Sequence, residues 1–234
     1  MIDIGSCFNY GIEKLKQNPA YYIGGFLVIV GVSIVVSLIS NGLSFVWGLG
    51  VGFVGAKIQI SELVSRIIAT GGGAIIGSIL GIIIAPFMVG YYRGIRKEYE
   101  GGHAEISDVF SAMSISIPCI INYFVANMII VIGFICCIIP GILLSPLLNL
   151  TIFFLAKDEI DGIKAVKCAW EALKKSPILI LWNIVLGIFA ALGIILCCVG
   201  ILATAPIAMC ATYKLFQQAI GEDKQAAEAN PVQS

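Results

Sequence analysis

Charge is scarce in this chain. Asp, Glu, Lys and Arg together make up 12% of its 234 residues, about half of the ~25% usual in soluble domains, and they cancel to zero net charge. That balance excludes a nucleic-acid partner, which needs a basic surface. Histidine occurs once, at His103, so a bis-histidine haem or a histidine-rich metal site is excluded within one chain and no cofactor is expected. No Asp, Glu, Lys or Arg stands between Ala112 and Ala156 or between Ser176 and Tyr213. Ion-coupled transport usually needs such a charge at mid-depth, so its absence argues against that class. Phosphate-binding glycine loops, paired carboxylates and nucleophile elbows are also missing from any context in which they could work, and a non-enzyme is expected. The first twenty residues contain Asp3 and Glu13 and lack a basic start followed by an apolar core, which predicts an uncleaved anchor rather than a cleavable signal.

Apolar residues are present in excess: 59% of the chain, with a mean hydropathy of +1.00. A spanning helix needs about 20 mostly apolar residues. Six stretches qualify by length or by analogy: Tyr21 to Ile39, Ile75 to Tyr92, Ile117 to Ile138, Gly141 to Ala156, Ile178 to Val199 and Gly200 to Phe216. With both termini cytoplasmic, every basic residue except Lys57 and Arg66 lies inside, as the positive-inside rule requires. A multi-pass protein of the bacterial inner membrane follows, with the lipid bilayer as its first partner. Eight cysteines read as small apolar residues in such a chain, and Cys7 and Cys168 are expected to be reduced.

One phrase recurs three times: Gly81-Ile-Ile-Ile-Ala-Pro86, Gly141-Ile-Leu-Leu-Ser-Pro146 and Gly200-Ile-Leu-Ala-Thr-Ala-Pro206. The fold class this predicts is an all-α membrane protein of six transmembrane helices, built as three repeated hairpins. Residues 1–101 form the first hairpin, with an external insertion at 41–73; residues 102–162 and 163–221 form the second and third, and 222–234 a disordered tail. Each hairpin opens with an amphipathic helix on the cytoplasmic face. The apolar stripes are Ile4, Phe8, Ile12 and Leu15, then Ile106, Val109, Phe110 and Met113, then Ile163, Val166, Trp170 and Leu173. Within the insertion Leu43 to Val54 is apolar but too short to span, and reads as an interfacial or re-entrant segment.

Candidate sites follow from the same reading. Gly73, Gly77 and Gly81 form a small-xxx-small ladder, serving either packing on the neighbouring span or a subunit contact. Pro86, Pro146 and Pro206 are expected to kink the second span of each hairpin and to face protein. Asn122, Asn127, Asn149 and Asn183 are interhelical hydrogen-bonding groups or the lining of a cavity. Lys164, Lys167, Lys174 and Lys175 form a basic face at the membrane surface. The pairs Cys136-Cys137 and Cys197-Cys198 lie at matching depth, but adjacent helical residues diverge by about 100° and suit no shared metal ion. Glu98, Glu100, Glu105 and Asp108, beside Arg93, Arg96 and Lys97, read as a solvated mixed-charge face.

Gly90-Tyr-Tyr-Arg93 with Gly101 to Phe110, Ile139-Pro-Gly141 leading to Ala169-Trp-Glu-Ala172, and Cys198 to Pro206 with Tyr213 and Phe216 together resemble a broad group of uncharacterised bacterial inner-membrane proteins. That group is related to the membrane domain attached to some glycerophosphoryl diester phosphodiesterases. The resemblance covers Tyr91 to Phe216 and implies about six spans. No phosphodiesterase domain accompanies it here, so no catalysis is carried over. The function expected is an accessory or scaffold subunit that binds lipid and other membrane proteins, as a homo-oligomer or in a larger complex. The alternative is a transporter or channel for lipid or a small neutral solute.

Overall fold

The computed structural model describes residues 4–136, 141, 143–158, 161–195 and 200–220. Among them are nine α-helices and no strand: α1 Ile4–Gln17, α2 Pro19–Lys57, α3 Glu62–Gly81, α4 Ala85–Tyr99, α5 Ser116–Cys136, α6 Pro146–Asp158, α7 Gly162–Lys175, α8 Ile178–Ile195 and α9 Ile201–Ile220. A 3₁₀ turn, Ile82–Ile84, joins α3 to α4, and a longer 3₁₀ segment, Ile106–Ile115, precedes α5.

Proline punctuates the corners. Asn18 stands before Pro19 at φ −137°, ψ 65°, and Ser176 stands before Pro177 at φ −132°, ψ 76°. The pyrrolidine ring bars the α conformation to the residue ahead of it, so both junctions turn. The Asn18 Oδ1 then accepts from the Tyr21 N–H at 3.2 Å and caps α2, while Pro19 occupies a position where its missing N–H is not needed. The second corner bends the chain by 101° between α7 and α8, and the 3₁₀ segment meets α5 at 86°.

Among the described residues two helices are long and apolar enough to cross a membrane: α2, and the run Glu62–Tyr99 formed by α3 and α4. The number rises to four if each bent pair is one span. These are the apolar helices of a membrane-embedded protein. Helix α6, at 13 residues, falls short of the ~20 a span requires.

The stretch Leu43 to Val54 departs from expectation. It is not a separate short segment but the far half of α2, which runs unbroken for 39 residues. At ~1.5 Å per residue this is ~58 Å, about twice the ~30 Å of bilayer hydrocarbon. Its glycines do not break it, because helix α3 runs back along it and completes an antiparallel arm. The arm turns where the Ile60 N–H reaches the Gly55 carbonyl at 3.1 Å, with Gln59 at φ 53° in the position usually given to glycine.

Protein covers the predicted apolar stripes only in part. In α1 the buried residues are Cys7 and Gly11, whereas Ile12 is exposed. In α7 they are Gly162, Ala165, Val166, Ala169 and Leu173, whereas Ile163 and Trp170 point out. The second element winds as 3₁₀ rather than α, with Val109 and Ala112 buried at a spacing of three, and Ile106, Phe110 and Met113 exposed. Protein covers small residues together with Val109, Val166 and Leu173, and leaves Ile12, Ile163 and Trp170 exposed.

Packing links the segments in a closed order. The 3₁₀ segment packs on α4, α7 packs on α6, and α1 packs on α9. The buried core concentrates in α4, α6 and α9. One aromatic chain ties them: Tyr10 to Tyr99 at 5.8 Å, Tyr99 to Tyr213 at 5.6 Å, Tyr213 to Phe153 at 5.1 Å and Phe153 to Phe216 at 5.4 Å.

Glycines permit the close approach. A Cβ on Gly90 would run into the Val109 carbonyl, and one on Gly11 would lie 2.6 Å from the Ile207 carbonyl oxygen. Main chain blocks main chain there, and neither can rotate aside. Gly90→Ala is therefore expected to destabilise by about 1–3 kcal/mol, whereas Gly31→Ala, which meets open space, is expected to stabilise by up to about 1 kcal/mol. Thermal unfolding in detergent, followed by circular dichroism, checks both; equal midpoints for the two variants would contradict the close approach.

Candidate functional site

Among the described residues a cluster of buried polar groups gathers at the corner between α1 and α2. Glu98, near the end of α4, is 4% exposed. Its Oε1 accepts from Asn18 Nδ2 at 2.6 Å and its Oε2 from the Tyr22 hydroxyl at 2.7 Å. Asn18 Nδ2 also donates to the Ala104 carbonyl at 2.9 Å, and Lys14 Nζ to the Glu98 carbonyl at 3.2 Å. Burying a carboxyl group is costly unless its oxygens find donors, and here both have one. Around it, the Tyr21 hydroxyl donates to the Tyr91 carbonyl at 2.6 Å and the Tyr91 hydroxyl to the Tyr22 carbonyl at 3.1 Å. The two rings stack with centroids 5.4 Å apart.

Glu98 thus leaves the solvated face on which sequence reasoning placed it. The others stay there: Glu100 pairs with Arg96 at 2.7 Å and Asp108 with Lys97 at 3.1 Å. Helical spacing held the missed signal. Tyr91, Ile95 and Glu98 recur at four and three residues, so Glu98 continues the apolar face of α4.

Tyr10 borders the site from α1. Its hydroxyl is buried and has no hydrogen-bond partner among the described residues. Burial, reinforced by Cys210, Tyr99, Tyr213 and Glu98, pushes this hydroxyl far above its ordinary range and keeps it neutral at any working pH. Lys14 and Lys214 stand over its ring at 5.8 and 5.1 Å. On the outer side a cleft of about 380 Å³ opens between the start of α2 and the segment His103 to Ser107. A second cleft, of about 620 Å³, runs between α2 and α3 along the arm and is lined almost wholly by apolar side chains and glycine.

No protein-family model matches this chain, and no curated protein or solved structure is significantly similar to it. Its chemistry must be read from its own residues.

The predicted site residues are scattered rather than gathered. Gly73 and Gly77 lie against Ser44 and Ser40 of α2, and Gly81 faces Tyr123 of α5, so each meets a neighbour in the same chain. Pro86, Pro146 and Pro206 are all buried. Pro86 follows the 3₁₀ turn and Pro146 opens α6; Pro206 alone sits inside a continuous helix. Asn149 Nδ2 donates to Asn183 Oδ1 at 2.9 Å, joining α6 to α8. Asn122 is buried beside Gly162 with its Oδ1 unpartnered, and Asn127 is bonded to Tyr123. The four asparagines line neither cleft. Lys164, Lys167, Lys174 and Lys175 are exposed along α7; Lys164 approaches Asp161 at 3.6 Å, and Lys174 lies 5.3 Å from the Trp170 ring. The side chains of both vicinal cysteine pairs, and the tail 222–234, lie outside the described residues.

Both Glu98 oxygens are occupied by protein donors, so the group ties α2, α4 and the loop at Ala104 together. Tyr22→Phe removes one donor and is expected to cost about 1–3 kcal/mol. Glu98→Gln keeps the shape and an acceptor for Asn18, and is expected to cost less than Glu98→Ala. Denaturant titration of the three variants in detergent checks the order; full stability of Glu98→Ala would contradict the tie.

Proposed function

We propose that this chain is a non-catalytic, multi-pass subunit of a bacterial inner membrane that assembles with lipid and with other membrane proteins. In this reading its six spans form three hairpins, each fronted by a surface-lying segment, with both termini cytoplasmic. The resemblance to the membrane domain associated with glycerophosphoryl diester phosphodiesterases is consistent with that topology. The matching backbone at Asn18 and Ser176, each before a proline, supports the repeat. So does the order of packing, in which each surface segment sits on the closing helix of the preceding hairpin and α1 sits on α9.

The single observation that carries the proposal is the contrast between a filled centre and a bare arm. The middle of α4, α6 and α9 is closed by Phe153, Tyr213, Phe216 and Tyr99 in ring contact. Past Val36 the only buried residue of α2 is Gly55. Contiguous exposed apolar surface of this extent marks a site of lipid or protein contact. A route for solute among the hairpins finds less support, because aromatic side chains occupy that space.

Purification in mild detergent, with native mass determination, tests the proposal. Species heavier than the 24.9 kDa chain, carrying lipid or protein partners, are expected. A strictly monomeric, partner-free and lipid-free species would count against it.

A further inference from the structure

Helix α2 carries a band of polar side chains at its middle: Ser37, Ser40, Asn41 and Ser44 fall on one face at helical spacing. Ser37 lies eighteen residues beyond Pro19, a rise of ~27 Å, and Ser44 lies ~38 Å beyond it. If Pro19 marks the inner boundary, this band sits where the ~30 Å of hydrocarbon ends, at the far headgroups. The second cleft begins at this level and continues outward, away from the membrane. Its walls include Leu43, Trp47, Val51, Val54, Ile60 and Ile68. The one polar group among them, the Trp47 indole N–H, is already spent on the Ile68 carbonyl at 3.2 Å.

Two further features bear on what fills it. Gly50 lies in the cleft wall, and a Cβ there would meet nothing within 4 Å; Gly48 and Gly52 meet nothing either. Glycine weakens a helix, and no packing within the chain requires it at these positions. At Gly50 the missing side chain leaves the cleft open as a trough, whereas Gly48 and Gly52 do not line it. The outer mouth is the turn between Gly55 and Ile60, where Lys57 makes no ion pair among the described residues and rests near the Phe53 ring at 5.8 Å. From Leu43 to Val54 the trough runs ~17 Å, the length of a long fatty acyl chain. Its volume of about 620 Å³ falls in the range of ligand sites.

We propose that the α2–α3 arm is a lipid-binding site whose trough takes one acyl chain of an anionic phospholipid and whose Lys57 ammonium takes the headgroup phosphate. The chemistry is complementary at both ends: an apolar groove for a chain that water rejects, and an unpaired cation for an anion. The inference rests on the membrane reading above but not on the scaffold role. It adds a ligand class and a place for it, beyond the boundary of the hydrocarbon.

The test uses the full chain in detergent micelles with phosphatidylglycerol bearing a photoreactive diazirine at the end of one acyl chain. Cross-linked peptides are mapped by mass spectrometry. Labelling concentrated in residues 43–68 is expected, falling at least five-fold in Val51→Trp, which fills the trough. Lys57→Glu, at the exposed tip, is expected to lower capture of phosphatidylglycerol at least three-fold while leaving capture of a diazirine fatty alcohol unchanged. Labelling spread evenly over the arm and over exposed residues of α8 such as Leu181 and Ile188 would overturn the proposal. So would protein–protein cross-links that place a second copy in the trough. Failure of the scaffold role would show separately, as a monomer that still captures lipid in the arm.

Discussion

Backbone contact of α1, the 3₁₀ segment and α7 with the helices they pack on is the constraint on which the rest of this structure depends. At Gly90 against Val109, Gly11 against Ile207, and Gly162 against Pro118, two main chains meet with no side chain between them. Apolar side chains give little driving force for association where the alternative partner is lipid, so close van der Waals packing must supply it. Small residues make these approaches for that reason, beside Val109, Val166 and Leu173, while Trp170, Ile163 and Phe110 stay exposed.

That division explains much of what the sequence concealed. Apolar periodicity finds a stripe but does not say what covers it, so Ile4, Phe8, Ile12 and Leu15 did not reveal that Cys7 and Gly11 are the buried positions of α1. The 3₁₀ winding of Ile106–Ile115 was hidden because Ile106, Val109 and Ala112 satisfy both periods over so short a run. Leu43 to Val54 reads in the sequence as a separate segment because, at about a dozen residues, it is too short to span by itself. Its glycines argue against a helix by propensity, and only the tertiary contact with α3, on which Gly72 admits the Trp47 indole, overrides them. The prolines before the corners were legible, because their effect is local and steric.

Glu98 shows the other limit. Composition placed it with Glu100, Glu105 and Asp108 among cations, and for those three a solvated face was adequate. Its burial depends on Asn18, eighty residues earlier, presenting an amide at the one bend where α1 gives way to α2. No local pattern announces such a partner. The cost of the buried carboxyl group, offset by Asn18 and Tyr22, fixes the start of α2 against the end of α4. The chain is thus divided energetically into a base, tied by aromatic and hydrogen-bonded contacts, and an arm held mainly by α2 against α3.

Closure of the base, with α1 seated on α9, is the claim most open to direct measurement. Cys7 Sγ lies 3.7 Å from the Gln218 side-chain oxygen, across nearly the whole length of the chain. In a Gln218→Cys variant, mild oxidation followed by proteolysis between the two positions should leave the first and last fragments joined by a disulfide that reductant separates. Fragments that part without reductant would contradict the closed arrangement.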